Sequence, residues 1–280
     1  MQSPATLPTG SDGAYLRGDD ALMAFYLFLF LAGSTVGFFS GLLGIGGGIL
    51  MFPLLLYVPP LLGLDLISVK SITGLTMIQG FFASLAAMFF YNKHNLVNRQ
   101  LVFTLGLSLF LSSLAGSFIS KIVPDKPLLF IFGALAFIAS VMMLIPRSYS
   151  EDDLTEDKVS FHRPTAIIIG VSIGFLIGMV GQGGAFIIIP ILLYVLKIPL
   201  RVALGSTLAI GLFSSSAGLV GKVATGQVPF HMAAALLLGA VPSARLGGVL
   251  GKKTKTQYLR WLLAVIIIAT AVKIWADIFK

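Results

Sequence analysis

Long runs free of Asp, Glu, Lys and Arg dominate the chain. They cover Ala21–Leu64, Ser71–Asn92, Gln100–Ser120, Pro127–Pro146, Pro164–Leu196, Val202–Gly221 and Val223–Ala244. A last apolar stretch around Trp261–Val272 lies between Arg260 and Lys273. About 20 apolar residues in a helix cross a hydrocarbon core of about 30 Å. Most of these runs reach that length. Inside them apolar residues are continuous and do not alternate with polar ones, which predicts helices and excludes a membrane barrel. Ala21–Leu64 and Pro164–Leu196 are too long for one simple span. Each holds a glycine cluster with a proline beyond it, Pro53 or Pro190. The pattern predicts a helix, a glycine break and a shorter helix in both. Residues 1–20 are polar and read as a loose tail. They lack a positive leading region, and the apolar run behind them is too long for a signal peptide.

The two halves repeat. Val36–Val58 reads VGFFSGLLGIGGGILMFPLLLYV and Ile173–Val195 reads IGFLIGMVGQGGAFIIIPILLYV. Gly37, Gly41, Gly44, Gly46, Gly47, Pro53 and Tyr57 match Gly174, Gly178, Gly181, Gly183, Gly184, Pro190 and Tyr194 at one constant offset. At a second constant offset Lys70, Gly74, Thr76, Gly80, Ser84, Ser112 and Gly116 match Arg201, Gly205, Thr207, Gly211, Ser215, Ser243 and Gly247. The predicted organisation is a tail (1–20), a first membrane repeat (21–146), a charged linker loop (147–163) and a second membrane repeat (164–280). Repeats of this kind point to a transporter whose site lies where the repeats meet. If each broken run crosses once, each half has four spans, the repeats are parallel and basic charge is balanced across the membrane. If each broken run enters and returns, each half has five segments and the repeats are inverted. Lys and Arg then divide unevenly, which the positive-inside rule prefers. That reading puts the Arg147–Arg163 loop inside and the N-terminus outside. The expected fold is thus an all-α polytopic membrane protein of eight to ten helical segments, in two homologous inverted repeats, each with a Gly-broken helix.

Composition agrees and narrows the chemistry. Of 280 residues, 57% are hydrophobic and only 11% charged, against about 25% charged in a soluble domain. An ordinary soluble enzyme is excluded. The net charge of +8 reads as loop charge beside anionic lipid, not as a nucleic-acid surface. No cysteine is present, so thiolate metal sites and disulfides are excluded.

The glycine breaks carry the functional expectation. Freed backbone groups in a bilayer are tolerated only beside protein or a watery cavity. A helix starting after a break presents unpaired N–H groups and the positive end of its dipole, which suits an anion without any charged side chain. Gly44, Gly46, Gly47, Gly181, Gln182, Gly183 and Gly184 are therefore the candidate substrate-binding residues. Gly37–Gly41 and Gly174–Gly178 read instead as small-residue packing positions. The Gly-x-Gly-Gly pattern lacks the βαβ context of a dinucleotide fingerprint. With its later proline and a Lys/Arg-led segment after each copy (VKSITGLT, LRVALGST), the doubled motif resembles the sulfite exporter TauE/SafE family over nearly the whole chain, from about Met23 to Trp275. The resemblance implies a two-repeat secondary transporter for sulfur-containing anions such as sulfite or sulfonates, driven by a proton gradient or membrane potential. Gln182 and Ala185 stand where the first repeat has Ile45 and Gly48, so the two half-sites are not equivalent.

Other polar residues add candidates. No carboxylate lies within the spans, which favours an anionic or neutral cargo over a cation. Thr76, Gln79, Ser206, Thr207 and Ser214–Ser216, on the helices after the breaks, offer donors to an oxyanion or to a neighbouring helix. Arg245 stands out as the one basic residue well inside an apolar segment, placed to meet an anion or to snorkel toward headgroups. Lys70 and Arg201 begin matching helices and read as interface anchors, as do Trp261, Trp275, Tyr57 and Tyr194 as aromatic residues. His94, His162 and His231 have no metal-ligand spacing, and no catalytic constellation appears. No metal, cofactor or catalytic residue is therefore expected. The expected partners are a small anionic substrate and the lipid bilayer of the cell membrane, with no nucleic acid; a homodimer is left open. The rival readings are an anion channel, a transporter of another small organic anion, a membrane-embedded enzyme and a non-transporting scaffold.

Overall fold

The computed structural model describes residues 18–91, 98–144, 161–181 and 185–278. Most of the tail and of the linker loop lies outside them. The described residues form ten helices: α1 (Gly18–Leu43), α2 (Gly48–Leu61), α3 (Val69–Tyr91), α4 (Arg99–Ile119), α5 (Asp125–Leu144), α6 (Arg163–Val180), α7 (Ala185–Tyr194), α8 (Leu200–Ala224), α9 (Phe230–Lys253) and α10 (Thr256–Ile278). Seven carry a stretch long and apolar enough to cross a membrane, within α1, α4, α5, α6, α8, α9 and α10. Both broken runs are helix–break–short helix, as the glycine clusters require. α2 and α7 are short and hold Pro53 and Pro190 within them.

The polar side chains turn inward and apolar ones outward. Leu27, Phe30, Phe103, Leu107, Leu111, Phe137 and Leu238 are exposed, while Thr73, Thr76, Gln79, Ser113, Thr207 and Lys222 are fully or almost fully buried. That polarity is stable only with hydrocarbon outside. The chain is a multi-pass membrane protein.

Packing follows the repeat. α1 lies on α9 as α6 lies on α4, and α3 touches α9 as α8 touches α4. α3 and α8, the repeat-mates, pack on each other at the centre. The span of α8 is 78% buried, against 33–44% for the other six spans. Two glycine seams bring the outer helices to backbone contact. A Cβ added at Gly33, Gly37 or Gly41 would meet the carbonyl oxygen of Leu236, Ala240 or Ala244 at 2.1, 2.3 or 1.9 Å. The ascending order makes α1 and α9 parallel. Gly170 and Gly174 meet Ser108 and Ser112 in the same ascending order, so α6 and α4 are parallel too. α3 and α8 run the other way: Thr73 faces Lys222 and Met77 faces Gly218. The packing role read for Gly37, Gly41, Gly174 and Gly178 is the one found.

The half-helices are held by an aromatic column. Phe52 of α2 stacks on Phe132 of α5 at 4.5 Å, and Phe132 meets Phe186 of α7 edge-on at 6.2 Å. Trp275 joins α10 to α5: its indole N–H donates to Gly133 O at 3.0 Å, and its ring packs on Phe130 and Phe137. Trp275 is therefore a helix-packing residue, its indole N–H satisfied by a carbonyl of α5. Lys70 donates to Lys121 O at 2.7 Å and so ties the start of α3 to the end of α4. His162 caps the N-terminus of α6.

The seams predict a graded response to small substitutions. In Gly41→Ala the new methyl collides with the α9 backbone and forces two helices apart, at or above the top of the roughly 1–3 kcal/mol range of overpacking. Gly63→Ala adds a methyl to open space at φ 69° and bears only left-handed strain, about 1–2 kcal/mol. In detergent, Gly41→Ala melts well below Gly63→Ala; equal melting temperatures would refute the α1–α9 register.

Candidate functional site

The first break is a run of left-handed glycines. Gly44, Gly46 and Gly47 have φ of 66°, 64° and 78°, a region costly for any residue with a Cβ. Gly44 N–H still bonds Ser40 O, closing the last turn of α1. Gly47 is the N-cap of α2, with no side-chain hydrogen bond to cover the helix start. Its carbonyl accepts from Leu50 and Met51. The amide of Gln79 lies against this backbone: a Cβ added at Gly47 would sit 2.7 Å from Nε2 and 2.9 Å from Oε1. One residue on, a Cβ at Gly80 would sit 3.3 Å from Gly46 O.

The second break starts at Gly181, the C-cap of α6, with φ 76°. Its carbonyl accepts from the Thr76 hydroxyl at 2.6 Å, and a Cβ there would lie 2.2 Å from Thr73 O. Gln182, Gly183 and Gly184 lie outside the described residues. α7 begins just beyond them.

One helical turn of α3 therefore touches both breaks. Thr76 meets the second, and Gln79, three residues on and so on the same face, meets the first. The scaffold contact is made twice. Gly44 abuts Leu204 O as Gly181 abuts Thr73 O, and these pairs are repeat-mates. The chemistry is not made twice. Thr76 has found its carbonyl, while its mate Thr207 leaves a buried hydroxyl without a partner. Gln79 has Ile210 as its mate.

Among the described residues, five buried side-chain atoms have no hydrogen-bond partner: both amide atoms of Gln79 and the hydroxyls of Ser40, Thr207 and Ser214. Gln79, Ser40, Thr207 and Ser214 are all 0% exposed. Each unpaired buried polar atom costs about 1–3 kcal/mol, so each of these groups calls for an explanation. Ser40 lies one turn before the first break, and Gln79 against it. With the open start of α2, the neighbourhood presents neutral donors and no charge.

Two other candidates are placed elsewhere. Ser206 is buried, but its hydroxyl accepts from Asn98 N–H at 3.0 Å, pinning α8 to the start of α4. Arg245 is exposed on α9. The buried base within the spans is Lys222, 0% exposed near the end of α8. Sequence reasoning took Lys222 as a boundary between two charge-free runs. The turn residues Thr225–Gly226 stand only three positions later, and they were the available signal that the helix continues through Lys222. Ser40 was missed as well, since its repeat-mate is Ile177 and the glycine register drew attention past it. Among the described residues no group of three or more His, Asp or Glu side chains gathers to hold a metal.

Comparison with known proteins follows the same lines. A family model described as sulfite exporter TauE/SafE matches residues 29–274. The chain is 24% identical to the probable membrane transporter protein YunE of Bacillus subtilis, over 87% of this chain and 94% of that protein. It is 28% identical to a probable membrane transporter protein of Methanocaldococcus jannaschii, covering 85% and 91%, and 29% identical to one of Xylella fastidiosa, covering 88% and 95%. No solved structure matches the chain.

Thr76 and Gln79 respond oppositely to removal of their polar atoms. Thr76→Val breaks a made bond and leaves Gly181 O without it, lowering stability by about 1 kcal/mol or more. Gln79→Leu removes two unpaired buried atoms for an apolar group of similar size, so the ligand-free protein melts no lower than wild type. Thermal melts of the two variants in detergent check this; a large loss in Gln79→Leu would mean its amide is already paired.

Proposed function

The chain belongs to the sulfite exporter TauE/SafE family and is a membrane transporter; from that premise we propose that it moves a small sulfur-containing oxyanion, sulfite or an organosulfonate, out across the cell membrane. The substrate is held between the two glycine breaks. The observation that carries this reading is the Gln79 amide, fully buried and unpartnered, against the uncapped start of α2. An anion stripped of water needs several donors at once. The amide N–H₂, the hydroxyls of Thr207 and Ser40 and the free N–H groups at a helix N-terminus supply them without a fixed charge. A fixed positive charge would hold the anion too firmly to release it. Gln182, Gly183 and Gly184 complete the site from the second break, with Thr76 holding Gly181 in position.

Transport proceeds by alternating access in inverted repeats, two packed groups of helices rocking against each other. The antiparallel course of the repeat-mates α3 and α8 supports the inversion: mates related by an axis along the membrane normal would run parallel. A rigid group on each side of that axis is supported by the seams, which join α1 to α9 and α4 to α6 across the repeats.

The test is flux in proteoliposomes, with sulfite, sulfonates, sulfate and carboxylates offered separately. Wild type shows saturable flux and counterflow for the sulfur oxyanions. Gln79→Leu lowers kcat/KM about tenfold or more, the worth of one hydrogen bond to a charged group, and Gly46→Leu abolishes flux. Full flux in both variants moves the site elsewhere. Non-saturable flux without counterflow makes the protein a channel, and a wild type inert to every anion ends the reading.

A further inference from the structure

Lys222 is buried without an opposite charge. Four oxygens lie within hydrogen-bond distance of its ammonium and share its three N–H bonds: Ser120 Oγ at 2.7 Å, Thr73 Oγ1 at 2.9 Å, Gln227 Oε1 at 3.0 Å and Met179 O at 3.1 Å. No carboxylate touches it among the described residues. Its charged neighbour, Lys70, has the same sign. A buried ion held only by neutral groups is costly, so these groups must be arranged for it.

Their proton bookkeeping shows that arrangement. Thr73 gives its hydroxyl proton to Lys70 O at 2.7 Å, and Ser120 gives its own to Ser117 O at 2.6 Å. Both therefore turn lone pairs toward the ammonium. The Gln227 N–H₂ group donates to Thr225 Oγ1 at 2.7 Å and Ser120 Oγ at 3.2 Å, which leaves its carbonyl oxygen facing Lys222. Thr225 in turn spends its proton on Gly221 O at 2.7 Å. With these bonds made, the oxygens around Lys222 keep lone pairs for its ammonium. Three helices also end here: Ser120 caps α4, Met179 lies two residues before the cap of α6, and Lys222 is in the last turn of α8. Each contributes the negative end of its dipole.

We propose that these oxygens form a monovalent-cation site, and that the ammonium of Lys222 is its tethered occupant. Four neutral oxygens, those of Ser120 and Met179 at helix C-termini, that of Gln227 in the turn after α8 and that of Thr73 in α3, make a ligand set that suits an alkali ion or ammonium. The chain fills that set with its own side chain and so requires no free cation there. The site also braces the second break, because Thr73 O abuts Gly181 and Met179 precedes it by two residues. The inference stands independently of the cargo proposed above.

The experiment is thermal melting of the full-length protein in detergent at fixed ionic strength, with the chlorides of sodium, potassium, n-propylammonium or choline as probes. Wild type melts at the same temperature in all four. Lys222→Ala excises the propylammonium portion of the side chain. It melts several degrees lower in choline and regains most of the loss in n-propylammonium, and part of it in potassium or sodium. Lys222→Met fills the same space without charge, melts below wild type and responds to none of the cations. A Lys222→Ala protein indifferent to every probe, or a Lys222→Met protein as stable as wild type, overturns the proposal. Should Lys222→Ala not survive purification, Gln227→Glu decides: a carboxylate 3.0 Å from a held cation raises the melting temperature, and a fall overturns the proposal.

Discussion

A helix cannot be interrupted inside hydrocarbon unless protein covers the interruption. The rest of the structure answers that constraint. The glycines that end α1 and α6 free backbone groups at depth, and two central helices are spent on covering them. α3 sends Thr76 to the carbonyl of Gly181 and lays Gln79 along Gly47. α8 brings Leu204 against Gly44. For α3 and α8 to serve both breaks, they must lie at the centre and cross each other, and the remaining helices must close around them. Close approach is then obligatory for the outer helices, which explains the backbone contacts along Gly33–Gly41 and Gly170–Gly178. The seams and the breaks are two uses of one residue, separated by whether the φ angle stays helical or turns left-handed.

The repeat duplicates the scaffold and leaves the chemistry single. Gly44 and Gly181 meet repeat-mates through the same contact, and the pairings of the helices exchange under the repeat relation. Several of the polar groups do not exchange, although Thr76 and Thr207 do. Gln79 is matched by Ile210, Ser40 by Ile177, and Thr73 by Leu204. Backbone geometry must be retained in both halves for the fold to close on itself. Side chains between the halves are free to differ, since they do not set that geometry.

Much of this was legible beforehand. Period-free apolar runs gave the class, the doubled Gly-x-Gly-Gly register located both breaks, and the length of Ala21–Leu64 and Pro164–Leu196 implied a shorter helix after each. Gln79, Thr76 and Thr207 could be named as donors because hydroxyl and amide groups are rare in such runs. What could not be read was partnership. Ser206 and Thr207 are adjacent and chemically alike, yet one is bonded to Asn98 and the other to nothing; only the position of α4 separates them. Lys222 was not singled out for a related reason: a charged residue between two apolar runs reads as a span end, whereas its burial depends on which face of α8 meets a neighbour. Lys222 faces α3, α4 and α6, and Arg245 faces outward.

The two unusual polar regions of the interior are sorted by helix polarity. Around Gln79 a helix begins, and the neutral groups there offer protons. Around Lys222 three helices end, and the neutral groups there offer lone pairs. Thr73 and Thr76, one turn apart on α3, take part in opposite settings: Thr73 accepts from the ammonium, and Thr76 donates to the second break. A single turn of helix thus divides a region that favours negative charge from one that favours positive charge. The division needs no carboxylate in either place, because the directions in which α2, α4, α6 and α8 run already determine the sign of each. A lysine is tolerated at the end of α8 for the same reason that no lysine is needed at the start of α2.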